Sequence, residues 1–173
     1  MGKIFYADKS AFPTEAALKK IFSAYYGKQS ITILRTKNGK PYVESGPYFS
    51  VTHTQDRLYI AFSDNEVGLD AEHLSRAPRY KPIVKKFSPD EQAEIACAED
   101  FLRHWIVKES AVKYLGGTLA ADLKSLAYTN GLLTYQQQSF PAKITLLQHE
   151  DYLLSVCSNE DFENAVFIPI TTL

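Results

Sequence analysis

The chain has 173 residues, of which 45% are hydrophobic and 23% are charged, and its formal net charge is -1 at pH 7. This size suffices for one compact domain, and the balanced charge argues against nucleic acid as a partner. The two cysteines, Cys97 and Cys157, are too few and too far apart for a disulfide scaffold, so we expect two reduced, buried thiols. Because no stretch approaches the ~20 apolar residues of a membrane span, we expect a cytoplasmic protein without a membrane partner.

The first half of the sequence predicts a helix followed by short strands. Apolar residues recur at helical spacing from Thr14 to Tyr26, with Thr14 as a candidate cap and Gly27 as the end. A β-branched strand from Ser30 to Arg35 leads into a turn over residues 37–41. Three more strands, which we interpret as a β-meander, are predicted at residues 48–54, 58–62 and 66–70.

The second half predicts two helices and then more strands. Ser88, Pro89 and Glu91 form a capping-box pattern that opens a helix to about Ala98. A longer helix follows over residues 99–115 and ends at Gly116. The later strands are predicted at residues 126–129, 132–135, 142–148 and 152–158, the first two joined by a turn at residues 130–131.

This order of elements predicts an α+β fold. We expect two similar lobes, each a small antiparallel sheet packed against a helix, within one compact domain. The expected N-terminal lobe comprises residues 1–78 and the C-terminal lobe residues 79–173, with the join near residues 75–82.

Two pairs of charged residues are candidates for chemistry. Asp70 and Glu72 alternate along a strand, so both carboxylates project to the same side, where oxygen donors favour magnesium. Glu109 and Lys113 are four residues apart on a helix and therefore share a face, near an apolar stripe that includes Trp105. The alternative is a solvated strand end and an ordinary surface pair, which is the commoner meaning of each pattern alone.

A histidine and a lysine are further candidates. His53 lies between Thr52 and Thr54 at the end of a strand, a composition suited to holding a phosphate, although a structural histidine is an equal alternative. Lys40, followed by Pro41, belongs to a glycine-containing turn that by itself indicates only backbone geometry.

Taken together, the chain resembles the 4'-phosphopantetheinyl transferases, in particular the two-lobed, single-chain type that serves peptide and polyketide synthetases. Four segments carry the resemblance in the family's order: Gly39-Lys40-Pro41, the strand over residues 49–54, Val67-Gly68-Leu69-Asp70-Ala71-Glu72, and residues 87–116 with Trp105, Lys108, Glu109 and Lys113. The family transfers the phosphopantetheine arm of coenzyme A to a serine of an apo carrier protein and releases 3',5'-ADP.

The resemblance implies a role for each acid and for the lysine. Asp70, Glu72 and Glu109 are implied to bind Mg²⁺, which also grips the pyrophosphate of coenzyme A. Glu109 is then the candidate general base, directly or through a water on the metal. Lys113 is implied to stabilise or protonate the leaving phosphate.

The other implied contacts are with coenzyme A. His53 and Thr52 are implied to contact one of its phosphates, and Lys40 with Pro41 to line the adenine side. The active site is expected at the lobe interface of one chain, which implies a monomer.

The sequence also departs from the family. Larger members begin with an additional basic helix that helps to hold the 3'-phosphate, whereas this chain leads almost directly to the helix at Thr14. Arg35, Arg76 and Arg79 are candidate substitutes, each of them a surface residue in the alternative interpretation. Two other hypotheses stay open: a non-catalytic module that binds coenzyme A or a carrier protein, and an unrelated α+β protein whose acids coincide by chance.

The carrier protein is expected to bind beside the cleft. The segment from Arg79 to Phe87 and the helix at Pro89 offer apolar positions such as Ile83 and Val84 to an acidic helical partner.

Overall fold

Strands and helices form separate groups along the chain: after a first strand and helix, a run of strands is followed by a run of helices and then by further strands. The computed structural model describes residues 2–76 and 80–173. The helices are α1 (Thr14–Tyr26), α2 (Lys81–Val84), α3 (Pro89–Glu94), α4 (Ala98–Leu115) and α5 (Leu119–Asp122), with 3₁₀ turns at Leu123–Ser125 and Ile170–Thr172. The strands are β1 (Lys3–Asp8), β2 (Leu34–Arg35), β3 (Pro41–Tyr42), β4 (Tyr48–Thr54), β5 (Arg57–Ser63), β6 (Val67–His73), β7 (Leu126–Thr129), β8 (Leu132–Tyr135), β9 (Gln138–Ser139), β10 (Lys143–His149), β11 (Tyr152–Ser158) and β12 (Val166–Pro169).

Two sheets form the body of the fold. The first sheet has the order β12-β1-β5-β4 and is antiparallel except for the parallel pair of β1 and β12. The second sheet is antiparallel throughout, in the order β10-β11-β6. The short pair β2-β3 and the sheet β7-β8-β9 are separate from both. The predicted α+β class is confirmed.

The sheets are not divided as the order along the chain suggests. β4 and β5 pair as predicted. The prediction that the next strand completes a β-meander with them is wrong, because β6 pairs with β11 in the second sheet. β1 and β12 were not predicted, and β12 returns from the end of the chain to the first sheet. The boundary between residues 78 and 79 stays a prediction. Residues 77–79 lie outside the described part, and both β6 and β12 pair across that boundary.

Each of the two sheets is covered by one helix. Ile21 and Phe22 of α1 are fully buried against Phe5 and Phe62 of the first sheet. On the other face, the first sheet packs against the second, and this layer contains the buried residues Ile4, Tyr59, Ala61, Val67, Leu69, Ala71, Leu154 and Val156. α4 covers the outer face of the second sheet, where its Val107 and Ala111 are buried with Cys157. The order of layers is therefore helix, sheet, sheet, helix.

α4 approaches the second sheet most closely at Gly68 of β6. A Cβ atom added to Gly68 would lie 1.9 Å from the carbonyl oxygen of Ser110 and 2.5 Å from the backbone nitrogen of Tyr114. These neighbours are backbone atoms of α4, which no side-chain rotation can move away. The glycine therefore allows the helix to lie directly on the strand two residues before Asp70.

Most local predictions are confirmed, with differences at the element ends. α1 has the predicted bounds, and Gly27 ends it in the left-handed conformation with φ 63°. Thr14 is the first helical residue rather than the cap, a position taken by Pro13. The capping box of Ser88 and Glu91 is present, but α3 already ends at Glu94. Of the strand predicted at residues 30–35, only the last two residues form β2.

The two cysteines differ in environment. Cys157 is buried as predicted, and burial raises the pKa of its thiol. Cys97 is exposed, so that half of the prediction is wrong; it directly precedes α4, where it is the N-cap residue. No helix within residues 2–76 and 80–173 is long and apolar enough to cross a membrane.

A buried ion pair joins α3 to α4. The ammonium of Lys108 on α4 lies 2.8 Å from Oε1 and 2.9 Å from Oε2 of Glu91 on α3, and the side chains are 1% and 0% exposed. The same carboxylate accepts bonds from the backbone N–H groups of Ser88 and Tyr128. Burial lowers the pKa of Lys108, while its bond to Glu91 acts in the opposite direction. Glu91 therefore holds α3, α4 and β7 together.

We expect Glu91→Gln to lower the free energy of unfolding by about 3–5 kcal/mol, because it leaves the buried ammonium of Lys108 without its counter-charge. Asp90→Asn is the matched control, since Asp90 is exposed in the same helical turn and its change should cost less than ~1 kcal/mol. Urea unfolding measures both variants. Equal losses in the two would contradict the structural role of the pair.

Candidate functional site

The strand β6 presents two carboxylates on the face that α4 covers. Asp70 and Glu72 are both nearly buried on this face, opposite Ser155 and Leu153 of β11. Leu69 and Ala71 point the other way into the core between the two sheets. The alternation predicted from the sequence is therefore present, and it delivers both acids to one place.

The helix α4 adds a third carboxylate and an ammonium. Lys113 donates from Nζ to Oδ1 of Asp70 at 2.7 Å and to the carbonyl oxygen of Leu69 at 3.0 Å. The pKa of Glu109 is raised to about 8, first by burial and then by the negative charge of Asp70, with a smaller effect from Glu72. Lys113 acts in the opposite direction. The predicted acids and the lysine therefore meet in one electrostatically coupled cluster.

The strand β4 faces this cluster with a row of hydroxyl groups. Thr52 donates to Oδ1 of Asp70 at 2.8 Å and Thr54 to Oε2 of Glu72 at 3.0 Å. Ser50 accepts from the backbone N–H of Leu69 at 2.9 Å. The sequence analysis named Thr54 only as a neighbour of His53 and did not name Ser50 as a candidate, although hydroxyl residues at every second position of a strand indicate a polar face.

His53 belongs to the same strand but makes a different contact. Its Nε2 lies 2.8 Å from Oγ1 of Thr14, the first residue of α1. Burial lowers the pKa of His53, and the nearby ammonium groups of Lys113 and Lys9 lower it further. The imidazole is therefore biased towards its neutral form while it stays at the edge of the acidic cluster.

Two residues at the site were not predicted to act there. Arg76 donates from Nη1 to both oxygens of Glu72, at 2.7 and 2.8 Å. The sequence had offered Arg76 only as a substitute for missing phosphate contacts. Trp105 precedes Glu109 by one turn of α4 and lines the same cleft. Its helical spacing from Glu109 and Lys113 could have predicted from the sequence that Trp105 shares their face of α4.

These side chains line one cleft of about 460 Å³ where β4, β6 and α4 meet, which we call the acidic cleft. Its lining residues are Val51, Thr52, His53, Asp70, Glu72, Arg76, Trp105, Glu109 and Lys113. A larger cleft of about 560 Å³ is lined by Thr36, residues 40–49 and Glu66, and contains none of the three predicted metal ligands. Chemistry rather than size therefore identifies the acidic cleft as the candidate site.

The donor set of the acidic cleft fits magnesium in type. Carboxylate oxygens are the ligands that Mg²⁺ prefers, and the pKa of Glu109 is raised first by burial and then by the charge of Asp70, which a divalent cation would offset. Within residues 2–76 and 80–173, however, no group of three or more His, Cys, Asp or Glu side chains is gathered closely enough to hold a metal. Asp70 is paired with Lys113 and Glu72 with Arg76. The metal ligands stay a prediction.

Lys40 and Pro41 line a neighbouring space, which we call the side cavity. Its volume is about 230 Å³, and its lining residues are Gly39, Lys40, Pro41, Ser50, Val51, Lys113, Gly116 and Gly117. The side cavity shares Val51 and Lys113 with the acidic cleft. Lys40 donates from Nζ to Glu66 at 2.7 Å and to the carbonyl oxygen of Val67 at 3.2 Å. All predicted site residues therefore lie along two adjoining spaces.

The three arginines considered as phosphate ligands have different positions. Arg35 donates to the carbonyl oxygen of Gly39 at 3.0 Å and is exposed, and Arg76 contacts Glu72 as described. Arg79 lies outside the described residues.

The fold and the site together define an α+β protein with an acidic, lysine-bearing cleft where β4, β6 and α4 meet. A sequence profile of the 4'-phosphopantetheinyl transferase superfamily matches residues 66–157, just over half of the 173 residues. The chain therefore belongs to this superfamily, and the resemblance inferred from its motifs is confirmed. The matched segment contains Asp70, Glu72, Glu109 and Lys113.

One similar protein is the 4'-phosphopantetheinyl transferase gsp of Aneurinibacillus migulanus. The two sequences are 25% identical over 156 residues, which cover 84% of this chain. The same alignment covers 65% of the relative, so the chain spans about two thirds of that protein's length.

Proposed function

We propose that this protein transfers the 4'-phosphopantetheine arm of coenzyme A to a serine hydroxyl of an apo carrier protein and releases 3',5'-ADP. The observation that carries the proposal is the meeting of Asp70, Glu72, Glu109 and Lys113 in the acidic cleft, within the segment that matches the superfamily. These groups come from a strand and a helix that lie far apart in the sequence, and their types suit transfer of a phosphoryl group.

Asp70, Glu72 and Glu109 are the proposed magnesium ligands. When bound, the ion would neutralise the negative charge of the pyrophosphate and so lower the barrier to attack on phosphorus. In the described structure Lys113 and Arg76 occupy two of these carboxylates. Binding of the ion would therefore require Asp70 and Glu72 to turn from these cations towards the metal.

Glu109 is the proposed base for the incoming serine. The serine Oγ forms a bond with the phosphorus that carries the pantetheine arm, the bond from that phosphorus to the bridging oxygen breaks, and the serine proton passes to the carboxylate of Glu109. Glu109 lines the acidic cleft, and a carboxylate is a common general base. Lys113 either stabilises the departing phosphate by its positive charge or donates a proton to it.

The remaining coenzyme A contacts are proposed for residues along the two adjoining spaces. Lys40 and Pro41 would line the adenine side in the side cavity. Thr52 and His53 would contact a phosphate at the edge of the acidic cleft, where the hydroxyl of Thr52 now points to Asp70. The exposed position of His53 supports this role.

The proposed carrier surface is α2 and the start of α3. Ile83 and Val84 of α2 are half-buried against Phe101 and its neighbours, and Tyr80 stacks on Phe101 with ring centroids 5.3 Å apart. The lysines on either side, Lys81, Lys85 and Lys86, are exposed. An acidic helical carrier would meet positive charge around an apolar strip. We propose that a single chain carries the whole site.

The test is the mass of a carrier protein. Incubation of the purified protein with Mg²⁺ and coenzyme A should add about 340 Da to the active serine of at least one apo carrier, and should release 3',5'-ADP; omission of Mg²⁺ should abolish the change. A panel of fatty-acid, polyketide and peptide carriers covers the partner classes.

Two other results would overturn the proposal. If the folded protein binds coenzyme A but modifies no carrier in the panel, it is a binding module of the same fold. If it shows no magnesium-dependent binding of coenzyme A by calorimetry, the acids of the cleft serve another purpose.

A further inference from the structure

The turn between β2 and β3 is held in shape by its own hydrogen bonds. The backbone of Thr36 bonds to that of Lys40 at 2.9 Å and to that of Gly39 at 2.9 Å, and Oγ1 of Thr36 accepts from the backbone N–H of Lys40 at 3.1 Å. Gly39 has φ 88°, a conformation that favours glycine. The turn is therefore a rigid unit, and its position relative to the rest of the molecule depends on outside contacts.

Asn38, at the tip of this turn, makes one such contact with the end of α4. Its Nδ2 donates to the carbonyl oxygen of Gly116 at 2.8 Å, across 78 residues of sequence. Gly116 ends α4 in the left-handed conformation, and carbonyl groups at a helix end have no partner within the helix. The side chain of Asn38 supplies the missing donor from the opposite wall of the side cavity.

The contact joins two segments that line the side cavity. Gly39, Lys40 and Pro41 form one wall, and Lys113, Gly116 and Gly117 form the other. The bonds of Lys40 to Glu66 and Val67 anchor the first wall to the start of β6, and the bond of Asn38 anchors it to α4. The first wall is therefore held at two points, and of these contacts the bond of Asn38 is the one that reaches the second wall.

We propose that Asn38 is a positioning residue that sets the width of the side cavity and thereby the affinity for coenzyme A. The proposal rests on the proposed function, in which this cavity holds the adenine side. Without the bond, the turn keeps its internal shape but is free to move relative to α4, so binding must also order the two walls. Asn38 is exposed and does not line the acidic cleft, so the chemical step is unaffected.

The expected result for Asn38→Ala is a rise of about three- to tenfold in KM for coenzyme A, the effect of one hydrogen bond. kcat and KM for the carrier protein should stay within twofold of the wild type. Asn38→Asp keeps the size but removes both donors, so its KM should rise at least as much. Asn65→Ala is the matched control, because Asn65 is exposed in another turn, between β5 and β6, and its removal should leave KM unchanged.

Hydrogen exchange separates this inference from the proposed function. Without any ligand, Asn38→Ala should speed amide exchange in peptides that cover residues 36–40 and 113–117, and Asn65→Ala should not. If the wild type modifies a carrier but Asn38→Ala leaves KM for coenzyme A unchanged, the inference alone is overturned. If the wild type neither binds nor uses coenzyme A, the proposed function is overturned, and so is the assignment of coenzyme A to the side cavity. Hydrogen exchange then still decides whether Asn38 joins the two walls.

Discussion

Glu109→Gln is expected to reduce the rate of carrier modification by about 10²–10⁴-fold while the protein stays folded. Glutamine has the size of glutamate but is no base and a poor magnesium ligand. The variant should keep or raise its free energy of unfolding, because Glu109 carries a charge that burial and the neighbouring Asp70 disfavour. Initial rates from mass spectrometry of the carrier, with urea unfolding of the same samples, measure both effects.

The matched control is Glu99→Gln on the same helix. Glu99 pairs with Arg103 on the exposed side of α4, with a separation of 2.8 Å, and more than half of its side chain is exposed. Its rate should stay within twofold of the wild type. A Glu109→Gln variant that modifies carriers at the wild-type rate would remove Glu109 from the mechanism. If coenzyme A binding persists but neither wild type nor variant modifies a carrier, the binding module is favoured.

Gly68→Ala is expected to destabilise the protein by about 3 kcal/mol or more and to reduce activity. Strand conformation at residue 68 accepts alanine, so the cost comes from contact: the new Cβ would lie 1.9 Å from the carbonyl oxygen of Ser110. α4 and β6 must separate to relieve it, and these elements carry Glu109 and Asp70. Urea unfolding and the carrier assay are the measurements.

Gly131→Ala distinguishes this contact from the general cost of replacing glycine. Gly131 has φ 75°, in the turn between β7 and β8, and a Cβ atom there would have no neighbour within 4 Å. Its replacement should therefore cost only about 1 kcal/mol, from backbone conformation. A loss in Gly68→Ala no larger than in Gly131→Ala would show that the helix and the strand do not require the close approach.

Local sequence patterns predicted most of the helices and strands because their causes are local. α1 combines helical spacing of apolar residues with a glycine that ends it, and α3 begins with a complete capping box. β1 and β12 escaped prediction because a short strand at either end of the chain gains its stability from a distant partner. β6 was predicted as a strand but assigned to the wrong neighbours for the same reason.

In the candidate site, too, residues with a local sequence pattern were predicted and residues that depend on distant partners were not. Asp70 and Glu72 were recognised from alternation, and Glu109 and Lys113 from helical spacing. Arg76 was not recognised as a partner of Glu72, since an arginine after a strand has no distinctive local pattern. The hydroxyl row of β4 and the bond of Asn38 to Gly116 also depend on segments that meet only in the folded protein.

The sequence by itself determined the class of fold, the superfamily and the residues that could do chemistry, because periodicity and motif spacing are properties of neighbouring positions. Only the tertiary structure decided which strands share a sheet, how closely α4 lies on Gly68, and which charges face one another. The raised pKa of Glu109 illustrates the difference: it arises from burial and from Asp70, 39 positions away in the sequence. Packing alone brings these groups together, and their interaction depends on distance in space.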